Sequence, residues 1–345
     1  MGKIKKIIFL SVLALLFSSC QLGYYFRSAK NQIGMMSSRI PIDEALSSEK
    51  LSHEQKRKIE LSQNARIYAF EKLQLKKTDN YNSYIDLGRP YVSWVVHAAE
   101  KWQMKNFEWK YPIVGSMPYK GFFTEKEAED EATIMNDQGY DTYVRGVSAY
   151  STLGWFTDSL LSSMLRYKDH DLVNTIIHEI THTTLYVKNN ADFNERLAVF
   201  IGNKGTEMFY KDFEGADSST LKTIAAENED DHLFSEFISR ELKDLEQWYK
   251  DNGSVRNNEV REERLQQVFK NFETQLKPNL KTNSYNKFTK EKMNNAYLGV
   301  YKTYMQNLND FEEAYKRYNS DLLKFIEAVK QLENSKNPEE DLKRI

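Results

Sequence analysis

Ile176-Ile177-His178-Glu179-Ile180-Thr181-His182-Thr183 is the most informative stretch of this 345-residue chain. His178 and His182 stand four residues apart, so on a helix both imidazoles leave one face, one turn above the other, as two ligands of a tetrahedral zinc require. Glu179 then lies beside the metal, where it can take a proton from a zinc-bound water and return it to a leaving amine, the acid/base role in zinc peptidases. The uncharged flanks Ile180, Thr181 and Thr183 permit this helix to be buried.

Two protein ligands do not complete a catalytic zinc site, so a third is expected downstream. Asp192-Phe193-Asn194-Glu195-Arg196-Leu197-Ala198 opens the next helix, with Asp192 as its expected cap. Where the third ligand of a zinc peptidase is a glutamate, it sits on the helix after the motif, often in an Asn-Glu pair, and Glu195 fits that role. At about 1.5 Å per residue, a helix from His182 to Val187 advances about 7 Å and a return helix from Ala191 to Glu195 recovers about 6 Å. The turn Lys188-Asn189-Asn190 can therefore bring Glu195 level with His182. Asp192 is the rival ligand, and a plain surface role for Glu195 is the third reading.

Outward from this pair, residues 172–187 and 193–213 read as helices, and residues 219–333 as several longer ones rich in Lys, Glu, Asn and Gln, with breaks near Asn252-Gly253, Lys277-Pro278 and Asn319-Ser320. Upstream the signals are mixed. Residues 43–75 have helical apolar spacing, and residues 84–102 continue it with Tyr91, Trp94, Val95 and Ala98 on one stripe and Pro90 near the helix start. Residues 109–123 read as strand, turn and strand. Thr124 caps a helix of residues 125–136 that Gly139 ends, and residues 141–151 alternate as a further strand. The expected class is α+β, predominantly α, with a small β-sheet and a helical C-terminal part.

Cysteine occurs once, at Cys20, which excludes a disulfide framework and a cysteine-rich zinc site. It follows a short charged segment with Lys3, Lys5 and Lys6, the apolar run of residues 7–17, and Ser18-Ser19. This reads as a secretory signal peptide of residues 1–19, too short to span a membrane. Phe17-Ser18-Ser19-Cys20 looks like a bacterial lipobox, with Phe in place of the usual aliphatic residue, which makes Cys20 the expected acylated N-terminus. Gln21 is compatible with outer-membrane sorting. Removal of the leader takes three lysines and no acids, shifting the formal charge from −2 to −5, and such a balance offers no footprint for nucleic acid. The expected contacts are a peptide substrate and a membrane reached through the N-terminal lipid.

The lipobox, Tyr91-Val92-Ser93-Trp94, Pro112-Ile113-Val114-Gly115, Tyr119-Lys120-Gly121-Phe122-Phe123, the segment from Ala149-Tyr150 through Gly154-Trp155 to Thr157-Asp158, the His-Glu motif and Phe193-Asn194-Glu195 occur in one order. In that order the chain resembles the putative zinc aminopeptidase family of Gram-negative bacterial lipoproteins. The resemblance implies a zincin-like catalytic region with zinc held by His178, His182 and Glu195, in an envelope protein. The expected division is signal peptide (1–19), lipidated tether (20–42), zincin-like region (43–215) and helical C-terminal region (216–345). Arg196-Leu197 departs from the smaller or aromatic residues expected after the Asn-Glu pair. No separate acidic box anchors a substrate's free amine, so an envelope endopeptidase is the close alternative to an aminopeptidase, and a non-catalytic zinc-containing scaffold lipoprotein is the rival of another class. Tyr150 is a candidate donor to the developing oxyanion, with core packing, in a chain of 21 tyrosines, as the alternative reading. Arg145 reads as a structural ion pair before a carboxylate binder, His97 and His232 as packed or solvated histidines, and Asp158 as the cap of a helix beginning near Ser159.

Overall fold

Among the described residues strands occur only before residue 162, and the chain described after it is helix and connecting turn, an α+β, predominantly α, fold. The computed structural model describes residues 20–111, 115–149, 157–188, 190–304 and 308–345. The leader, Pro112-Ile113-Val114 and Tyr150 lie outside them.

The elements run α1 (Cys20–Ser37), β1 (Ile40–Pro41), α2 (Ile42–Ser47), α3 (His53–Glu71), β2 (Ser83–Ile85), β3 (Ser93–Glu100), β4 (Trp109–Tyr111), β5 (Gly115–Met117), β6 (Tyr119–Phe122), α4 (Glu125–Asp137), β7 (Tyr140–Val147) and β8 (Leu160–Leu161). They continue with α5 (Asp169–Thr184), α6 (Ala191–Glu214), α7 (Ser219–Asn252), α8 (Asn258–Asn271), α9 (Asn295–Tyr304), α10 (Asn309–Arg317), α11 (Leu322–Lys330) and α12 (Pro338–Leu342). Three small sheets have the orders β1-β2-β8, β6-β3-β7 and β4-β5. Thr124 caps α4 as expected, accepting from the Glu127 backbone, and Gly139, at φ 92°, closes the turn after it.

Three expectations are corrected. Residues 84–102 do not form a helix: they contain β2 and β3, and β3 is the central strand of its sheet, antiparallel to β6 and β7. Its one face, Trp94, Val96 and Ala98, packs with α4, while Val95, His97 and Ala99 are buried on the other side, against which α9 packs. A strand buried on both faces reads as a continuous apolar run, which periodicity cannot separate from a helix. The stretch of residues 20–42, expected as a tether, is mostly α1, held by Tyr24, whose hydroxyl donates to the Gly121 carbonyl at 2.9 Å and whose ring meets Phe122 edge-on. Asp158 caps no helix. It precedes β8, which runs parallel to β2, and its backbone pairs with Tyr81 and Asn80.

The predicted breaks fall where expected. Helix α7 ends at Asn252, α8 passes through a π turn (Phe272–Leu276) before Pro278, and Asn319 and Ser320 take φ of 56° and 55°. Helices α7 to α9 enclose an aromatic core around Phe234, Phe272 and Phe288. A buried Arg261–Asp141 ion pair joins that core to β7, as does a hydrogen bond of 3.0 Å from the Asn295 backbone to Asp141. No helix of the described residues is long and apolar enough to cross a membrane.

Candidate metal centre

Helix α5 buries one face, with Leu172, Val173, Ile176, Ile177 and Ile180 fully enclosed. Helix α6 returns beside it, and two glycines permit the approach. A Cβ on Gly202 would stand 3.4 Å from the His178 Cβ, and one on Gly205 only 2.8 Å from Leu73 and 3.1 Å from Ile177. The short turn between the helices is stitched by Asn194. Its side-chain oxygen accepts from the Val187 N–H at 2.8 Å, and its amide donates to the Val187 carbonyl at 2.9 Å. Buried and doubly bonded, Asn194 fixes the start of α6 and with it the direction of the next residue, Glu195. Sequence reasoning assigned Asn194 no role of its own, although the Asn-Glu pair was its visible signal. Asp192 lies in the first turn of α6 and makes no side-chain cap there.

The result is a convergence of three donors. The Nε2 atoms of His178 and His182 are 3.1 Å apart, and the two carboxylate oxygens of Glu195 lie 3.5 Å from one and 3.5 Å from the other. His182 is 6% exposed at its side chain and Glu195 48%, so the group opens to solvent on the α6 side. Among the described residues these three form one potential metal-binding group, which does not include Asp192. Ligands about 2.0–2.2 Å from a tetrahedral zinc stand about 3.3–3.6 Å apart; the two separations to Glu195, 3.5 Å each, fall in that range and the 3.1 Å between the histidines is slightly shorter. Two buried atoms beside them, Glu179 Oε2 and His182 Nδ1, have no hydrogen-bond partner among the described residues.

Electrostatics separates the two glutamates. Burial pushes the Glu179 carboxyl above the ordinary carboxylate value, and the two histidines offset only part of this. Burial acts the same way on Glu195, but hydrogen bonding to His178 and His182 outweighs it and holds the carboxyl well below the ordinary range. For His182 burial disfavours the charge, and the Glu195 carboxylate overcomes it, raising the imidazole. Buried Tyr81 and Asp158 form the surroundings of Glu179. Tyr81 takes φ of 62°, which is strained for a bulky residue. Its backbone is pinned by bonds of 2.7 Å to the Asp158 carbonyl and from Gln63.

Arg196, the departure noted above, turns away from the three donors. Its guanidinium forms a fork on Asp310 at 3.0 and 2.8 Å, reaches Glu339 at 2.5 Å and lies over the Phe311 ring, tying α6 to the C-terminal helices. Leu197 is core. Arg145 is on β7, opposite Val95 of β3. His97 is buried in the sheet beside Tyr119 and Tyr143, its pKa pushed down to about 3 by burial and Arg145, while His232 is exposed near Glu236.

A second group, missed in the sequence, sits at the other end of α5. His170 Nε2 lies 2.7 Å from Glu227 and 3.6 Å from Asp171, and the Lys168 ammonium is 2.5 Å from the other Glu227 oxygen. The adjacent His170-Asp171 is visible in the sequence, but Glu227 comes from α7.

No curated protein and no solved structure matches the chain. A family model described as Putative aminopeptidase matches residues 23–343, nearly the whole chain, and membership of that family suggests a peptidase. On that match, the chain belongs to the Putative aminopeptidase family.

Proposed function

We propose that this protein is a zinc-dependent peptidase of the bacterial cell envelope, carried on a lipid at Cys20. The observation that supports this most is the meeting of His178, His182 and Glu195, 3.1 to 3.5 Å apart, beside a buried carboxylate oxygen of Glu179 that has no hydrogen-bond partner among the described residues. A zinc ion held by these donors supplies Lewis-acid polarisation of a carbonyl and acidifies a bound water.

The rest is the work of the chain. His178 and His182 present Nε2 from successive turns of a helix too tightly packed to rotate. Asn194 holds the α6 turn, so Glu195 closes the set. Glu179, in a dry setting that favours its protonated form more than water does, takes a proton from the attacking water at its carboxylate and returns it to the leaving amine. Tyr150 is assigned as hydrogen-bond donor to the developing oxyanion. Strand β7 is an edge of its sheet, and its Val147 end packs against the core that contains α5. An extended peptide aligned along that edge would pass towards Glu179.

The test is metal analysis of the purified soluble domain together with a peptide-library digest, wild type against Glu179→Gln. The reading requires about one zinc per chain in both and cleavage in the wild type alone. A wild type without zinc, or undiminished cleavage by the variant, overturns it. Whether the library products are single N-terminal residues or internal fragments decides between aminopeptidase and endopeptidase.

A further inference from the structure

Helix α1 has two faces of different character. Tyr24, Ser28 and Met35 turn towards the protein, Tyr24 against Phe122 and Met35 against the core that contains α5. On the opposite side Phe26, Lys30 and Ile33 follow one another at i, i+4 and i+7, the spacing of a single stripe. Phe26 is 81% exposed and Ile33 68%. The helix cannot roll to hide them, because Tyr24 is bonded to the Gly121 carbonyl and Arg27 to Glu127 of α4, each at 2.9 Å. Arg27 and Lys30 are its charged residues, with no acid among its 18. Its first residue is Cys20.

We propose that α1 lies in the plane of an anionic phospholipid surface. Phe26 and Ile33 enter the boundary between headgroups and acyl chains, and Lys30 extends to the phosphates. The inference rests on the reading of Cys20 as the acylated residue. It adds an orientation to that anchor: the helix is fixed to the β6 and α4 side of the protein, so that side faces the bilayer. A membrane is favoured over a protein partner because the stripe begins two turns from the lipid attachment point and carries only positive charge.

The lone cysteine supplies the test. Acylation consumes the Cys20 thiol, so a cysteine introduced elsewhere can be labelled alone with an environment-sensitive dye. Full-length acylated protein is reconstituted into phosphatidylethanolamine vesicles containing phosphatidylglycerol, with Phe26→Cys, Ile33→Cys or, as control, Val255→Cys, where the native side chain is 77% exposed. All three positions are exposed, and thermal melts check that each variant folds. The dye at 26 and at 33 is expected to shift to the blue and to be quenched by spin-labelled lipid, while the dye at 255 is not. Dyes at 26 and 33 as wet and unquenched as at 255 overturn the proposal, as does a blue shift there without lipid quenching, which would mark a protein partner. The mass of the Cys20 peptide separates the two levels. Unmodified Cys20 refutes the lipid reading itself, whereas acylated Cys20 with wet dyes refutes only the orientation.

Discussion

The two ends of helix α5 carry similar groups and differ in what fills them. At the C-terminal end, His178, His182 and Glu195 converge with no lysine or arginine bonded to the group among the described residues. At the N-terminal end, His170, Asp171 and Glu227 come equally close, but the Lys168 ammonium bonds one Glu227 oxygen and His170 the other. The helix dipole sharpens the contrast, since a helix N-terminus favours negative charge and opposes a bound cation. Proximity of His and carboxylate is thus a weak criterion for a metal site. Donors left without an internal counter-charge are the stronger one.

Removing donors at each end should break the comparison most visibly. Structural zinc sites in general bind at about 10–16 kcal/mol, so loss of one of the three proposed ligands in His182→Ala is expected to weaken zinc binding on the order of 10³-fold. His170→Ala should leave the zinc content of the purified protein unchanged by elemental analysis. Zinc loss in His170→Ala would show that the N-terminal group binds it.

The next effect separates binding from chemistry. Glu179→Gln should retain zinc and lose peptide turnover by roughly 10²–10⁴-fold, the usual range for a general acid/base. A variant that also lost its zinc would identify Glu179 as a ligand and contradict the assignment of the third donor to Glu195.

A smaller effect is expected at the stitch. Asn194→Ala leaves the Val187 N–H and C=O without their partners, at a cost of about 1–3 kcal/mol in stability. By loosening Glu195 it should weaken zinc about 10–100-fold. Thermal melts with and without chelator, beside a competitive zinc titration, check both. An unchanged zinc affinity would mean that α6 holds Glu195 without the turn.

The smallest effect lies at the N-terminal end. Hydrogen bonding from Arg57, helped by Lys58, lowers the Asp169 pKa to about 2 against burial. A carboxyl lowered on folding adds stability above its unfolded pKa, near 4, and loses it as pH falls through 2. Asp169→Asn should therefore flatten the stability profile between about pH 4 and 2, by about 1 kcal/mol for a carboxylate 38% exposed, and leave neutral-pH zinc content untouched. Chemical denaturation at stepped pH values would reveal it.

What the sequence discloses about this architecture follows from how local each signal is. Helices α5 and α6, the Thr124 cap and the breaks at Asn252-Gly253 and Asn319-Ser320 are legible because the deciding residues are neighbours. The three donors are legible for the same reason, with two on one helix and the third across a short turn. Strand β3 is not, because Trp94-Val95-Val96-His97-Ala98-Ala99 is buried on both faces and has no period to read. Helix α1 is hidden because its inward face is chosen by Gly121 and Phe122, distant in sequence. Arg196 looks like a departure at the site until Asp310 and Glu339 are seen beneath it. Long-range partners also explain the missed group at His170, which needs Glu227 from another helix.

The central claim is that zinc belongs at one end of α5 and not at the other. Anomalous scattering at the zinc edge from crystals of the purified protein tests it most directly. The account predicts a single peak bounded by His178 Nε2, His182 Nε2 and the Glu195 carboxylate, with Glu179 beside it and uncoordinated. A peak at His170, Asp171 and Glu227 instead, or no zinc at the His178 end in protein that cleaves peptides, would contradict it.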